Sequence, residues 1–407
     1  MKRRPIVLVD IRALDSDHGI RGIGYYVASL VGEILRTNCR NLDFRLLAYS
    51  KNNPLVKKFP HTITILTKKP KIHPRFQWVA EQFLTNKVIK NNTPNMFFSP
   101  DTNLPLFMPR GVKSIVTIHD LIPIIMKKQY NLSLDRKVAH YIKYKAARSA
   151  DKIITISKHS KKDIVRLLNV DKKRVDVCYE AADESFKTVS ENEKKLIRKK
   201  YCQGKKYYLV IGDYYGTDPR KNYMLILDGY AKMVGTDQQK INFKKKNEEL
   251  PVLLFVGRSG GSNNEYGRIN GRALKLRIDK KVIFTGYVQD AELPKIYASA
   301  SALFYPSAYE GFGLPILQAM ASGCPVVTTR ATSIPEVAGK AASYCELSSV
   351  NSFVKAVIDI EKKRKSYVRA GLIQARKFSW QTCAFEVVKC MEELTSKKRR
   401  VQRGEVL

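Results

Sequence analysis

The segment YEGFGLPILQAMASGCPVVTT, residues 309–329, holds the side chains best suited to chemistry. Gly311 and Gly313 follow the acid Glu310, and glycines let a backbone pass close to a ligand. The helix predicted from about residue 314 adds free backbone amides and the positive end of a helix dipole. Since Glu310 precedes the glycines, we expect its carboxylate to accept hydrogen bonds from hydroxyl groups. Amides for a phosphate and a carboxylate for hydroxyls together predict a nucleotide-sugar site.

The segment DPRKN, residues 218–222, adds two cations, Arg220 and Lys221. It follows a strand predicted over 206–213 and leads into a helix predicted near 221–234. Two cations at the end of a strand suit a diphosphate. Taken by itself, the segment is better explained as a solvated charged turn.

Three further segments at predicted strand ends carry weaker signals. In TIHDLIP, residues 117–123, His119 could contact a substrate hydroxyl or carry a proton, although a structural histidine is the better explanation in isolation. In GIRGIG, residues 19–24, the backbone up to Gly24 could approach an anion, and a simple tight turn fits equally well. The acids in DSD, residues 15–17, favour a solvated loop over a metal site.

The composition restricts the possible partners. The 73 lysines and arginines outnumber the 37 acids, giving a net charge of +36 that suits nucleic acid, anionic lipid or phosphorylated molecules. No recognition helix, zinc module or aromatic stacking motif is present, so nucleic acid is not expected. The alternative explanation is lysine-rich solvated helix faces, which would account for much of the excess positive charge. Seven scattered cysteines and six histidines show no metal-ligand spacing, so we expect reduced thiols and no metal.

Hydrophobic patterning indicates the fold class. Apolar runs typical of buried strands alternate with helical patterns in both halves of the 407 residues, and a polar stretch over 185–206 separates the halves. Such alternation predicts parallel βαβ units, so we expect two doubly wound α/β domains. Ligands bind past the carboxyl ends of the strands in such sheets, and two facing domains would form a cleft. The sequence contains no run of eighteen apolar residues, so no membrane-spanning helix is predicted. Asp10 and Arg12 interrupt the first apolar run, which favours a strand over a signal peptide.

The sequence resembles the retaining glycosyltransferases of family 4, which have the GT-B fold of two Rossmann-like domains. The segments that carry the resemblance span nearly the whole chain and stand in the expected order: GIRGIGYYVASL, IVTIHDLIP, SADKIITISKHSKKDI, DPRKN and the sixty or so residues from VIFTGY to IPEVAG. The resemblance implies an acceptor-side domain over 1–187 and a donor-binding domain over 188–376. It also implies a C-terminal helix over 377–407 that crosses back to the first domain and ends in a basic tail.

The resemblance also implies roles for single residues. Lys221, with Arg220 as a possible helper, would hold the diphosphate, and Glu310 would bind hydroxyls of the donor sugar. His119 would lie near the reacting carbon. The remaining donor-binding candidates are Phe312, Gly313, Leu314 and Gly24. The family pattern is Glu-x7-Glu, whose second acid usually meets the ribose hydroxyls; here that position is Gln318, which puts only this contact in doubt.

The function expected from the resemblance is transfer of a hexose from a nucleotide sugar, with retention and without a cofactor or metal. Candidate donors are GDP-, UDP- or dTDP-sugars, with mannose and rhamnose among the sugars. The acceptor would be a glycan, lipid-linked, in the synthesis of a surface polysaccharide. The charge predicts a cytoplasmic enzyme at the inner face of the membrane. Two alternatives stay open: a soluble metabolite glycosyltransferase, and a catalytically silent, basic lipid-binding or scaffold subunit.

Overall fold

A computed structural model describes residues 3–16, 22–37, 39–72, 74–130, 133–235, 250–260 and 264–401. The chain divides into two compact units. The N-terminal unit comprises Met1–Glu180 together with Ser379–Leu407, and the C-terminal unit comprises Ala181–Phe378. Residues 17–21, which include parts of the DSD and GIRGIG segments, and the tail after 401 lie outside the described residues, as do residues 236–249.

The N-terminal unit contains a seven-stranded parallel sheet of order β3-β2-β1-β4-β5-β6-β7. Its strands are β1 (Ile6–Asp10), β2 (Asp43–Ala48), β3 (Thr64–Leu66), β4 (Met96–Ser99), β5 (Lys113–Thr117), β6 (Lys152–Thr155) and β7 (Val175–Val177). The central strands are nearly continuous apolar runs, as expected where helices cover both faces of a sheet. The chain runs outward from β1 in one direction and resumes at β4 on its other side, so the topological switch point lies between these two strands.

Eight helices of the described residues belong to this unit. They are α1 (Gly22–Arg36), α2 (Pro54–Lys58), α3 (Pro74–Asn92), α4 (Ile122–Ile125), α5 (Lys127–Tyr130), α6 (Leu134–Arg148), α7 (Lys158–Leu168) and, from the end of the chain, α16 (Trp380–Val401). The last helix packs against α1, and the ring of Trp380 lies 5.9 Å from those of Tyr25 and Tyr26. None of the helices in the described ranges combines the length and the apolar character that a membrane-spanning segment needs.

The C-terminal unit contains a six-stranded parallel sheet of order β10-β9-β8-β11-β12-β13. Its strands are β8 (Tyr207–Ile211), β9 (Val252–Val256), β10 (Val282–Gly286), β11 (Ala302–Tyr305), β12 (Val326–Thr329) and β13 (Ser343–Cys345). Its helices are α8 (Glu191–Cys202), α9 (Tyr223–Val234), α10 (Glu265–Lys275), α11 (Leu293–Ser299), α12 (Leu314–Ala321), α13 (Ile334–Ala338), α14 (Val350–Lys362) and α15 (Arg364–Ala375). A capping box begins α8, since Ser190 and Glu193 exchange both hydrogen bonds between side chain and backbone.

The fold expected from the sequence is confirmed: each unit is a parallel, doubly wound α/β domain. The sequence pattern did not predict β7 and β13, two strands of three residues each. The helices α14 and α15 were also not predicted. They cover the end of the second sheet, where α14 packs against β13 and α9.

Candidate active site

Lys221 and Glu310 form a buried pair at the carboxyl edge of the second sheet. Lys221 closes a single 3-10 turn after β8, and Glu310 lies in the loop between β11 and α12. Because β8 and β11 are neighbouring parallel strands, their carboxyl ends bring the two loops together. The Lys221 Nζ lies 2.8 Å from the Glu310 Oε1, and the two side chains are 13% and 10% exposed.

Arg220 supports this pair while contacting its own loop. Its Nε and Nη2 donate to the two carboxylate oxygens of Asp218 at 2.8 and 2.7 Å. The remaining nitrogen, Nη1, donates to the Tyr309 carbonyl at 3.2 Å and lies 3.6 Å from the Glu310 Oε2. The site therefore places two cations beside two carboxylates. Lys221 pairs with Glu310, whereas Arg220 pairs mainly with Asp218.

Neighbouring hydroxyl groups fix the Glu310 carboxylate. Ser307 Oγ donates to its Oε1 at 2.6 Å, and Lys221 also donates to the hydroxyl of Tyr305, whose ring lies 4.4 Å below the ammonium. Burial raises the pKa of Glu310, but the charges of Lys221 and Arg220 and the hydrogen bonds from Lys221 and Ser307 outweigh it, so the pKa is lowered. Burial, followed by the charge of Glu310, raises the pKa of Tyr305 well above its ordinary value. At neutral pH the site thus holds a charged carboxylate and a neutral phenol.

The glycine loop before α12 has a fixed backbone conformation. Gly313 adopts φ 111°, in the region that favours glycine, and it caps the helix that begins at Leu314. The amide of Leu314 precedes the first intrahelical hydrogen bonds, so it belongs to the group of helix amides that a ligand can use. Ser333 Oγ reaches the carbonyls of Glu310 and Phe312, both at 2.9 Å, and thereby anchors the loop.

Phe312 and Gln318 both direct their side chains into the unit. The Phe312 ring is 2% exposed and packs edge-on against Phe378 at 5.8 Å, so only its backbone is available to a ligand. Gln318 is 8% exposed, and its Oε1 accepts a hydrogen bond from Tyr297 Oη at 3.1 Å. The amide oxygen of Gln318 therefore already has a donor on α11.

His119 belongs to the N-terminal unit, at the end of β5. Its Nε2 lies 3.2 Å from the Pro100 carbonyl, which can only accept, so this nitrogen carries a proton. The Nδ1 lies 3.7 Å from Glu180 Oε1, and the ring of Tyr26 packs edge-on at 4.6 Å. Burial lowers the pKa of His119, but the hydrogen bond and charge of Glu180, followed by Asp101, outweigh it and raise the pKa.

The structure brings together the predicted site residues of the C-terminal unit, namely Arg220, Lys221, Glu310, Gly313 and Leu314. Gly24 and His119 lie in the other unit, where Gly24 is buried in the first turn of α1, two residues before the Tyr26 that packs on His119. Across the described residues, no group of three or more histidines, cysteines or acids could hold a metal ion.

Several residues that fix the site were not predicted. Ser307 and Ser333 hold Glu310 and its loop, and Glu180 contacts His119. Ser333 lies within the long segment that carries the resemblance, which was the only signal for it. Glu180 follows β7, and because that strand was not predicted, nothing in the sequence placed an acid beside His119.

Comparison with known families and proteins finds similarity to glycosyltransferases. Residues 214–376 match the family described as "Glycosyl transferases group 1", and residues 20–186 match "Glycosyltransferase Family 4". The O-antigen chain mannosyltransferase B of Escherichia coli is 27% identical over 348 residues, covering 84% of this chain and 82% of that protein. The O-antigen chain mannosyltransferase RfbU of Salmonella typhimurium is 24% identical, covering 77% and 78%.

Solved structures share the fold at low identity. Sucrose-phosphate synthase from Thermosynechococcus elongatus superimposes with a TM-score of 0.74 at 16% identity, over 97% of this chain and all of that one. HepE from Anabaena, in complex with UDP-glucose, gives 0.70 at 14% identity, over 96% of this chain and all of that one. WaaG, a glycosyltransferase involved in lipopolysaccharide biosynthesis, gives 0.68 at 14% identity, covering 94% and 98%.

Proposed function

We propose that this chain, which has the GT-B fold, is a hexosyltransferase of polysaccharide biosynthesis that transfers mannose from a nucleoside-diphosphate donor with retention of the anomeric configuration. The named mannosyltransferases among its relatives support the choice of sugar. Rhamnose remains the second candidate. The observation that carries the proposal is the buried contact between Lys221 and Glu310 beside the glycine loop.

The charges of this site suit a diphosphate. Without a ligand, Lys221 and Arg220 are balanced by Glu310 and Asp218. A diphosphate adds negative charge next to Lys221 and the first amides of α12. That charge grows on the leaving oxygen as the bond to the sugar breaks, and a cation placed in a water-poor site stabilises it. Glu310 then accepts hydrogen bonds from hydroxyls of the sugar as Lys221 turns towards the phosphate.

The proposed reaction leaves the new bond on the same face of the sugar. The bond between the anomeric carbon and the phosphate oxygen breaks, and the acceptor hydroxyl bonds to the same carbon from that side. The acceptor proton passes to the leaving phosphate oxygen, so no side-chain base is required. Glu310 stabilises the positive charge that develops on the sugar. His119, held by Pro100 and Glu180, is proposed to contact the donor sugar.

We further propose a lipid-linked glycan as acceptor and a position at the cytoplasmic face of an anionic membrane. An apolar groove of about 600 Å³ in the N-terminal unit supports this proposal. On its walls Phe83 and Phe107 are 74% and 76% exposed, and the exposed Lys87 and Lys90 lie beside them on α3. Exposed aromatic rings next to lysines suit the boundary between lipid headgroups and acyl chains, where each cation contributes about 1 kcal/mol.

Calorimetric titration of the full chain with GDP-mannose, dTDP-rhamnose, UDP-glucose and UDP-galactose tests the donor assignment. We expect one mannosyl or rhamnosyl donor to bind, and the same donor to support transfer to a lipid-linked glycan. If none of the four releases heat or is turned over, the proposed function is wrong. A Lys221→Ala variant that binds the preferred donor as well as the natural chain would remove this residue from the site.

A further inference from the structure

A second pocket, of about 390 Å³, lies at the carboxyl edge of the first sheet. Asp10 ends β1, Tyr49 directly follows β2, and Asp101 follows β4. The pocket therefore occupies the switch point between β1 and β4, where open parallel sheets bind ligands. Its volume falls within the range of roughly 300–1,000 Å³ for small-molecule sites. We call it the Arg12 pocket, after the residue at its base.

Arg12 is 3% exposed and has one guanidinium nitrogen without a protein partner. Its Nε and Nη2 donate to the two oxygens of Asp10 at 2.8 and 2.5 Å, and Nη2 also donates to Thr85 Oγ1 at 2.8 Å. The third nitrogen, Nη1, is buried and meets no acceptor among the described residues. A buried donor without an acceptor costs folding free energy, and a charged donor costs more than a neutral one. A ligand oxygen in the pocket would remove that cost.

Three other charged side chains of the pocket, Lys143, Asp101 and Glu81, have partners within its lining. Lys143 Nζ lies 3.3 Å from Asp101 Oδ1, and Tyr49 Oη donates to Glu81 Oε1 at 3.0 Å. With Asp10, Arg12 and the exposed Lys69, the lining contains three carboxylates and three cations. The lining is therefore balanced in charge, and an anionic phosphate or acidic sugar would be repelled by three carboxylates as well as attracted by the cations. Uncharged hydroxyl groups can use both kinds of partner, because they donate to carboxylates and accept from Arg12.

An aromatic wall completes the pocket. The half-buried Trp78 lines it, next to Gln77 and one helical turn before Glu81 on α3, and another part of the same residue lines the apolar groove of the N-terminal unit. An indole ring beside carboxylates and amides suits a pyranose, which has apolar C–H faces and a rim of hydroxyls. Asp101 of the lining directly follows Pro100, whose carbonyl contacts His119.

We propose that the Arg12 pocket binds one uncharged hexopyranose residue of the glycan acceptor. The inference rests on the proposed function, since it assigns the acceptor of that reaction, and it adds the chemical class of the sugar. Arg12 Nη1 donates to a ring or hydroxyl oxygen, Glu81 and Asp101 accept from hydroxyls, and Trp78 packs against the C–H face. Asp10 acts as a positioning residue that holds the guanidinium in place.

Binding of simple glycosides to the full chain, without donor, tests the class of ligand. The neutral probes are the p-nitrophenyl glycosides of mannose, galactose, glucose and N-acetylglucosamine. The charged probe is p-nitrophenyl β-glucuronide, which differs from the β-glucoside by one carboxylate. Saturation-transfer NMR should detect at least one neutral glycoside with a Kd of about 1 mM. The glucuronide should bind at least tenfold more weakly than the glucoside. Absence of binding by all four neutral probes, or a glucuronide that binds as tightly as the best of them, overturns the proposal.

Two variants connect the binding to this pocket. Arg12→Lys keeps a cation for Asp10 but lacks the third nitrogen, and Trp78→Ala removes the aromatic wall. Each should weaken binding of the best neutral glycoside, and raise the acceptor KM, by about tenfold or more. Phe385→Ala is the matched control, since this ring is 68% exposed on α16 of the same unit and does not line the pocket. Unchanged acceptor KM in Trp78→Ala would overturn the proposal even if Arg12→Lys failed to fold.

Donor hydrolysis separates this inference from the proposed function. In Arg12→Lys and Trp78→Ala, release of nucleotide from the preferred donor into water, without acceptor, should fall much less than acceptor use does, whereas Phe385→Ala should keep the natural rate of release within about twofold. If the variants lose hydrolysis and acceptor use in equal measure, the pocket supports the fold and is not an acceptor subsite. If the natural chain binds a neutral glycoside but no nucleotide sugar, the proposed function fails while the sugar site stands.

Discussion

The pair formed by Lys221 and Glu310 has two roles that a double-mutant cycle separates. In the free protein the two charges neutralise each other at 2.8 Å. In the proposed donor complex Lys221 faces the diphosphate and Glu310 the sugar. We therefore consider Lys221→Met, Glu310→Gln and the double variant, with folding stability and turnover measured on each.

The loss of folding stability in each single variant depends on the contacts that its remaining buried partner keeps. Removing one partner of a buried pair typically costs about 3–5 kcal/mol. In Lys221→Met, however, Glu310 keeps Ser307 at 2.6 Å and Arg220 at 3.6 Å, so we expect about 2–3 kcal/mol. For a unit the size of Ala181–Phe378 this lowers Tm by about 5–10 °C. The double variant should regain about 2 kcal/mol relative to the sum of the single changes.

Across the two single variants and the double variant, we expect turnover to change differently from folding stability. Loss of a cation or carboxylate that acts in the transition state typically costs about 2–4 kcal/mol, or about 30- to 1,000-fold in rate. We expect this loss in both single variants and no recovery in the double variant. The assays are thermal unfolding and the rate of nucleotide release with a saturating acceptor. A double variant that regains turnover together with Tm, or a folded Lys221→Met with the natural rate, would show that the pair is only structural.

The pH dependence of stability gives an independent check on the same contact. The pKa of Glu310 is lowered, so its contribution is present above the unfolded pKa and is lost as pH falls through the folded pKa. In Lys221→Met burial should dominate instead and raise that pKa. The difference in Tm between the natural chain and this variant should therefore grow as pH rises from about 4 to 7. A difference that does not depend on pH would contradict the electrostatic explanation.

Three further predictions concern the nucleotide contact, the membrane and the stereochemistry. Gln318→Glu should stay active with donor affinity changed by less than about tenfold, because a carboxylate still accepts a hydrogen bond from Tyr297. Calorimetry measures the donor affinity. A gain of orders of magnitude in turnover would indicate that the natural site is degenerate. Unchanged donor affinity in Gln318→Ala would show that this side chain only packs. The chain should co-sediment with anionic vesicles at low salt and be released by molar salt. Changing Phe83 and Phe107 to serine should weaken vesicle binding more than changing Phe385 to serine does. Binding that ignores salt would contradict this explanation. NMR of the product should show the donor's anomeric configuration, and an inverted linkage would rule out the proposed mechanism.

The sequence by itself determined the fold class and the segments that form the donor-side site. Alternating apolar runs and helical patterns are local properties, and they predicted the parallel sheets with most of their strands. The cluster of Glu310, Gly311 and Gly313 is also local, so the loop before α12 was predictable. The cations of residues 218–222 could be placed at a strand end for the same reason.

Only the tertiary structure decided which of these residues meet. Lys221 and Glu310 are 89 positions apart, and they touch because β8 and β11 are neighbours in the sheet. The Arg12 pocket arises in the same way from the ends of strands that are distant in sequence. The sequence also left open whether Gln318 faces a ribose. Its oxygen accepts from Tyr297 because α11 packs against α12, and a side chain's partner is set by such packing rather than by its spacing along the chain.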